Sequence, residues 1–183
     1  MTVLLHICCG VCAAGVIERL LIEGYEVTGF FYGPNIHPED EYRKRLDSAE
    51  KVARHFDIEL VEAIYDREKW FEMVKGVEGE KEGGLRCQAC FSMRLEKTFD
   101  QMKKKGFDRF ATTLTVSPHK DAVVINRIGT SLAGDRFIEA DFKKKGGFQR
   151  AVELAKEIGI YHQDYCGCIY SLEESYKRKK NKE

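Results

Sequence analysis

The stretch Val3-Leu-Leu-His-Ile-Cys-Cys-Gly-Val-Cys12 decides the fold of this chain. Its first five residues form an apolar run around His6, which predicts a buried strand that ends at Cys8. Residues 13–22 are helix formers with apolar side chains at helical spacing. The stretch therefore predicts a strand that leads directly into a helix, with cysteines at the junction.

The alternation of strand and helix continues along the chain. Further strands are predicted over residues 26–32, 58–63, 109–114 and 136–140, and further helices over 38–56, 66–75, 90–105, 120–132 and 148–157, with a short helix near the end. This pattern favours an α/β fold with a doubly wound, mostly parallel sheet. We expect residues 1–176 to form a single domain and residues 177–183 a basic C-terminal tail. The Gly- and Glu-rich segment 76–86 is interpreted as a loop inserted in that domain.

Composition describes an ordinary globular protein. The chain has 183 residues, of which 43% are hydrophobic and 33% charged, and its formal net charge is zero. No overall field would therefore draw it to nucleic acid, so local charge has to be considered. The N-terminus lacks the basic and long apolar regions of a signal peptide, and no apolar run is long enough to span a membrane. We expect a cytoplasmic location.

Seven cysteines stand in three tight clusters, at positions 8, 9 and 12, at 87 and 90, and at 166 and 168. In the cytoplasm such clusters more often bind metal or perform redox chemistry than form structural disulfides. The first cluster follows the first strand, and the second begins another predicted helix. Ligands of doubly wound sheets bind beyond the carboxyl ends of the strands, and helix N-termini favour thiolates and anionic groups.

The spacing of Cys8, Cys9, Cys87 and Cys90 leaves three chemistries open. A structural zinc site would use two Cys-x-x-Cys knuckles, but the adjacent Cys8 and Cys9 do not form one. An iron–sulfur cluster tolerates irregular spacing. A thiol oxidoreductase could use Cys87-Gln-Ala-Cys90, although it would leave the first cluster without a role.

The remaining three cysteines have other possible roles. Cys166-Gly-Cys168 is poorly placed to bind one tetrahedral metal alone, but it can close a strained, easily reduced disulfide. The alternative is a pair of buried structural thiols beside a turn. Cys12 is either a core thiol on the first helical turn or a ligand to a second metal.

Two further segments carry polar side chains near the predicted site. Residues 112–120 end the fourth strand with hydroxyl groups, His119 and Lys120, and they serve either as a capped loop or as a substrate contact. The loop Lys143-Lys-Lys145 precedes two glycines and suits phosphate binding, unless it is only a solvated charge run. The run at 177–180 is interpreted as a solubilising tail that could also touch nucleic acid.

Together these segments resemble the cobalamin-independent epoxyqueuosine reductase family, QueH. The matching motifs are Leu5-His-Ile-Cys-Cys-Gly-Val-Cys12, Pro34-Asn-Ile-His37, Arg86-Cys-Gln-Ala-Cys-Phe-Ser-Met-Arg-Leu95, Ser117-Pro-His-Lys120, Asp141-Phe-Lys-Lys144 and Tyr165-Cys-Gly-Cys168. The likeness covers almost the whole chain. One departure is Gly-Val at positions 10 and 11, where the family is expected to have Ala-Pro.

The resemblance implies the last step of queuosine biosynthesis, in which epoxyqueuosine at the wobble position of tRNA is deoxygenated to queuosine. It implies a [4Fe-4S] cluster held by Cys8, Cys9, Cys87 and Cys90, a redox-active disulfide between Cys166 and Cys168, and a further mononuclear iron. It also implies a fold similar to the adenine-nucleotide α-hydrolase (HUP) group. A tRNA-thiolating ATPase of that group is the first alternative, but the chain lacks a Ser-Gly-Gly-x-Asp-Ser phosphate loop after the first strand.

Further roles follow as hypotheses. Cys12 would help to hold the extra iron, and the proton donor would be Tyr165, His119 or Tyr32. The candidate phosphate contacts to tRNA are Lys120, Lys143, Lys144, Lys145 and Arg150. Sequence does not identify the electron donor. The second alternative is a zinc-stabilised RNA-binding module without catalytic activity.

Overall fold

A computed structural model describes residues 1–180 of the chain. Its centre is a sheet of four parallel strands in the order β3-β2-β1-β4. The strands are β1 (Thr2–Ile7), β2 (Glu26–Phe31), β3 (Leu60–Glu62) and β4 (Arg109–Thr112). The helices are α1 (Gly10–Ile22), α2 (Glu39–His55), α3 (Arg67–Met73), α4 (Leu85–Lys105), α5 (Ala122–Ala133), α6 (Gly147–Ile158) and α7 (Ile169–Lys180). The predicted single α/β domain with a doubly wound parallel sheet is confirmed.

Strand β1 lies between β2 and β4, and its residues from Val3 to Ile7 are all buried. The chain adds β2 and β3 on one side of β1 and then returns to add β4 on the other. Because such crossovers are right-handed, the two directions place helices on opposite faces of the sheet. Helices α1, α2 and α6 pack together, as do α4 and α5. The carboxyl ends of β1 and β4 therefore form the switch point where such sheets bind ligands.

The predicted fifth strand over residues 136–140 is wrong. Residues Gly134–Arg136 form a 3-10 helix, and only a single bridge joins Phe137 to Phe110 of β4. The reason lies in β4 itself, which passes into another 3-10 helix at Thr113. A strand over residues 136–140 would therefore find almost none of β4 left to pair with beyond Phe110.

Several helix boundaries differ from those predicted. Helix α4 begins at Leu85, so Cys87 and Cys90 belong to its first turns, and α1 already begins at Gly10. Helix α7 continues to Lys180, so the first four residues of the predicted tail are helical. Residues 181–183 of that tail lie outside the described residues. Among residues 1–180, no helix combines the length and the apolar character that crossing a membrane requires.

Gly147, the first residue of α6, is expected to be intolerant of alanine. The added Cβ would overlap the carbonyl oxygen of Phe142, and a backbone atom cannot move aside as a side chain can. We expect Gly147→Ala to cost about 1–3 kcal/mol of unfolding free energy, as overpacking does. Gly79→Ala is the control, because nothing lies within 4 Å of its added Cβ. Urea denaturation of both variants checks the prediction, and equal losses would contradict it.

Candidate metal centre

The fold brings the three cysteine clusters to the carboxyl edge of the sheet. Cys8 follows β1, Cys9 is the N-cap of α1, and Cys12 lies in its first turn. Cys87 and Cys90 lie in the first turns of α4, and Cys166 and Cys168 directly precede α7. A cavity of about 490 Å³ opens there, and its lining includes Cys8, Cys9, Cys12 and Cys166. The first cluster therefore lies at the edge of the sheet where it was predicted, and Cys166 of the third cluster lines the same cavity.

The cysteines are mostly enclosed, and none of them is bonded to another. Cys8, Cys9, Cys12, Cys90 and Cys168 are buried, and Cys87 and Cys166 are half-buried. All seven are free thiols, so the structure does not support the expected disulfide between Cys166 and Cys168. Within residues 1–180, no three His, Cys, Asp or Glu side chains are close enough to hold one metal ion. The ligands of a four-iron cluster each bind a different iron, so they do not need to converge on one point.

Arg94 of α4 is a buried cation beside these thiols. It is 1% exposed, its Nε donates to His6 Nε2 at 3.2 Å, and its Nη2 has no hydrogen-bond partner in the described part of the chain. Burial alone would lower the pKa of Arg94, but the negative charge that Cys8 and Cys90 carry when they are deprotonated raises it above its ordinary value. A buried charge normally has an opposite charge beside it. The counter-charge of Arg94 must therefore come from the cysteine site.

His6 fixes the orientation of this arginine. Its Nδ1 lies 2.9 Å from Thr112 Oγ1, and its ring is fully buried between β1 and its neighbours. Burial, followed by the charge of Arg94, lowers the pKa of His6 well below its ordinary value. His6 Nε2 lies near both the donor Arg94 Nε, at 3.2 Å, and the carbonyl oxygen of Tyr32, at 3.1 Å, so the ring connects α4 to the residue that follows β2.

Arg45 of α2 is a second buried cation, which lines the cavity and has a carboxylate partner. Its Nε donates to Glu41 Oε1 at 2.7 Å. Its two terminal nitrogens donate to the carbonyl oxygens of Cys166 and Tyr165, at 2.9 and 3.0 Å. Arg45 therefore holds the backbone of the third cysteine cluster in place.

Gly167 allows the third cluster to approach this arginine closely. Its φ is +126°, and an added Cβ would lie 3.0 Å from Arg45 Nη1. Glycine adopts this backbone conformation without the steric cost that other residues meet. The Cys-Gly-Cys sequence thus lets the turn lie against Arg45 while Cys166 lines the cavity.

Lys120 is the third cation, and it lines the cavity. Burial would lower the pKa of Lys120, but the thiolates of Cys166, Cys8 and Cys12 raise it. Its carbonyl oxygen also accepts from Lys143 Nζ at 3.4 Å. Lys120 therefore faces the cysteines inside the cavity. A residue that contacts a tRNA phosphate would be expected on the outer surface instead.

Five of the thiols have a pKa above the ordinary value and are protonated at neutral pH while no metal binds them, namely Cys8, Cys9, Cys87, Cys90 and Cys168. A contact with the Cys9 side chain, followed by burial, raises the pKa of Cys8 above its ordinary value. Burial likewise raises the pKa of Cys90 and of Cys168. Metal binding must therefore displace protons. The site combines neutral thiols with three buried or half-buried cations, so it is suited to an anionic metal–thiolate group.

The predicted proton donors differ in position. Tyr165 and His119 line the cavity, and the Tyr165 hydroxyl donates to the carbonyl oxygen of His37. Tyr32 does not line the cavity, and its hydroxyl donates to Asp66 Oδ2 at 3.3 Å. Burial, followed by the negative charge of Asp66, raises the pKa of Tyr32 above its ordinary value.

Three of the predicted phosphate contacts, Lys143, Lys144 and Arg150, already form ion pairs within the protein. Lys143 and Lys144 pair with Asp141, at 2.9 and 3.6 Å. Arg150 of α6 pairs with Glu18 of α1 at 2.7 Å and does not line the cavity. The ion pair of Arg150 joins two helices, which gives this residue a structural role irrespective of any RNA.

The sequence does not predict the roles of Arg45 and Arg94. It also does not predict that Arg178 and Lys179 line the cavity. One signal was available for Arg45, because Glu41 stands four residues before it, at the spacing of a helical ion pair. Arg94 offered no such signal. Helical periodicity predicts the face of the helix on which Arg94 lies, but it does not predict that this face is buried at Arg94.

Comparison with known proteins agrees with these features. The family model described as "Epoxyqueuosine reductase QueH" matches residues 3–174. A protein of that name from Haemophilus influenzae is 44% identical over 178 residues, which cover 95% of this chain and 73% of the relative. Another, from Thermotoga maritima, is 39% identical over 188 residues, which cover 100% of this chain and 95% of the relative.

A solved structure shares the fold. The U34-tRNA thiolase NcsA from Methanococcus maripaludis, determined with its [4Fe-4S] cluster, superposes with a TM-score of 0.53 at 15% identity. The match covers 99% of this chain and 65% of the thiolase chain. At this identity the likeness concerns the fold, and it agrees with the expected HUP-like architecture. The match to the family model over nearly the whole length, together with these relatives, shows that the chain belongs to the epoxyqueuosine reductase QueH family.

Proposed function

We propose that this chain reduces epoxyqueuosine to queuosine at the wobble position of a tRNA anticodon, the last step of queuosine biosynthesis. Its membership in the family supports this proposal. The observation that carries it is the cavity at the switch point, where Cys8, Cys9 and Cys12 meet Cys166 from a distant part of the sequence. Beside Cys8 and Cys90 lies Arg94, a buried cation that has no carboxylate partner among residues 1–180. We place the reaction in the cytoplasm, where thiols remain reduced.

The proposed cofactor is a [4Fe-4S] cluster held by Cys8, Cys9, Cys87 and Cys90. The neutral, buried thiols and the unbalanced charge of Arg94 fit an anionic cluster. Such a cluster transfers electrons one at a time. We further propose that Cys12, which lines the cavity, helps to hold one additional iron.

The third cysteine cluster would supply the electron pair. Opening the epoxide and releasing its oxygen as water consumes two electrons and two protons. Oxidation of the Cys166 and Cys168 thiols to a disulfide releases the same number of each, so the two half-reactions balance. The disulfide would then be reduced by an external donor. Tyr165 and His119 line the cavity and are the proposed proton donors to the leaving oxygen.

The first test is anaerobic purification followed by iron, sulfide and zinc analysis and a reductase assay. We expect a brown protein with about four irons per chain, and more iron than sulfide if a mononuclear site is also filled. The assay would use a tRNA that carries epoxyqueuosine, with nucleoside analysis of the product. A colourless protein that contains only zinc and leaves the epoxide intact would support the RNA-binding module.

The lysine loop provides a separate prediction about tRNA. Changing Lys143, Lys144 and Lys145 together to glutamine is expected to weaken tRNA binding roughly tenfold at low salt, because phosphate contacts dominate such affinities. Iron content should not change. The matched control changes Lys103, Lys104 and Lys105, at the end of α4 and the opposite edge of the sheet, by the same charge. Equal affinity of the two triple variants across a salt series would contradict the prediction.

A further inference from the structure

Helix α7 is held firmly beside the candidate metal centre. It begins at Ile169, immediately after Cys168, and Ser171 Oγ donates to the Cys168 carbonyl oxygen at 2.9 Å. Arg86 of α4 lies over the Tyr170 ring at 4.7 Å and 3.9 Å from the Glu174 carboxylate. These contacts fix the direction in which α7 leaves the site.

Helical periodicity divides the basic run at the end of α7 into two faces. Ser171 and Ser175 are buried, and Arg178 and Lys179 follow Ser175 at the three- and four-residue spacing of one helix face. Ser175, Arg178 and Lys179 all line the cavity. Lys177 and Lys180 are exposed and do not line it. Two of these four basic residues therefore belong to the wall of the site.

The size of the cavity limits what can enter it. Its volume of about 490 Å³ lies in the range that holds one small ligand, so it can enclose a single modified nucleoside. An enzyme that acts on a base inside RNA takes that base out of the stack into such a pocket. The nucleotides on either side of the extruded one must then lie over the rim of the cavity. Arg178 and Lys179 line the cavity and are exposed, as residues on the rim are.

We propose that Arg178 and Lys179 bind the phosphates of the RNA strand that flanks the extruded nucleoside. The inference rests on the proposed function and adds to it the surface that holds the substrate. Lys179 pairs with Asp164, another cavity residue, at 2.5 Å, and both side chains are more than half exposed. This exposed pair holds the ammonium group at the rim, where a phosphate can reach it.

The test compares charge-matched variants of the iron-loaded protein, with an anticodon stem-loop RNA that carries epoxyqueuosine. Arg178→Gln with Lys179→Gln is expected to raise the Kd roughly tenfold at low salt. It should also reduce the slope of log Kd against log salt by about 1.4, the value for two contacts to single-stranded RNA. The control, Lys104→Gln with Lys105→Gln, removes the same charge at the end of α4 and should bind as the wild type does. At saturating RNA, kcat of the control should equal that of the wild type.

Asp164→Asn separates phosphate binding from a structural role of the ion pair. If Lys179 binds phosphate, removal of the neighbouring negative charge should keep or increase the affinity for RNA. Weaker binding by Asp164→Asn, or equal affinities of the two double variants, would overturn the inference. Lack of epoxide reduction by the wild type would overturn the proposed function instead, while the comparison of Kd values would still decide whether this surface binds RNA.

Discussion

Replacing Cys90 with alanine is expected to abolish both iron binding and reductase activity. Cys90 is one of the four proposed cluster ligands, and it is buried beside Arg94 in the first turns of α4. The loss of activity should exceed the roughly 10–100-fold that removal of an outer partner of a metal ligand causes. Iron analysis and the visible spectrum of the anaerobically purified variant measure the first effect, and the tRNA assay measures the second.

Cys12→Ala is the matched comparison for this variant. Cys12 is also buried and lines the same cavity, but we propose that it holds only the additional iron. The variant should keep the cluster spectrum and lose the iron that exceeds sulfide. Full iron content in Cys12→Ala would end the proposal of a second iron. Full iron content in Cys90→Ala would contradict the proposed ligand set.

Replacing Arg94 with methionine is expected to change stability in opposite directions with and without metal. In the metal-free protein the thiols of Cys8 and Cys90 are neutral at pH 7, so the buried guanidinium has no counter-charge. Replacing such a group with an apolar side chain of similar size should be neutral or stabilising, by up to about 4 kcal/mol. In the loaded protein the same change removes the partner of an anionic group and should cost about 3–5 kcal/mol.

Arg45→Met is the control for this reversal. Arg45 pairs with the buried carboxylate of Glu41, so its removal leaves an uncompensated charge whether or not metal is bound. We expect this variant to be less stable in both states. Urea denaturation under anaerobic conditions measures the stability of both variants, each with a chelator and after iron loading. A loss of stability in metal-free Arg94→Met similar to that in Arg45→Met would show that Arg94 is balanced within the protein.

The sequence was sufficient for the four strands of the sheet and for the place of Cys8 at the end of β1, because both depend on local patterns. An apolar run followed by a helical pattern places Cys8 at the end of β1, and the rule for parallel sheets then places the site. The predicted fifth strand failed because residues 136–140 have the composition of a strand, but β4 ends too early to pair with them. Strand pairing depends on the neighbour and is not encoded in the segment itself.

The charged side chains could not be assigned from the pattern alone. Arg94 and Lys104 both lie on α4, yet one is buried against His6 and the other is exposed. The difference arises from what packs against each face, which is tertiary information. For the same reason the basic run 177–180 was predicted as one solvated tail, although two of its residues line the cavity.

The positions of the proposed cluster ligands also have a consequence for folding. Cys8 and Cys9 follow the first strand, whereas Cys87 and Cys90 lie beyond the third, so a bound cluster would cross-link two distant points of the chain. A cross-link over a loop of this length reduces the entropy of the unfolded chain and, by the relation used for disulfides, would be worth about 4–5 kcal/mol. Assembly of the cofactor would then enclose β2 and β3 in one loop whose first end follows β1, and its loss through oxidation would expose the protein to unfolding and degradation.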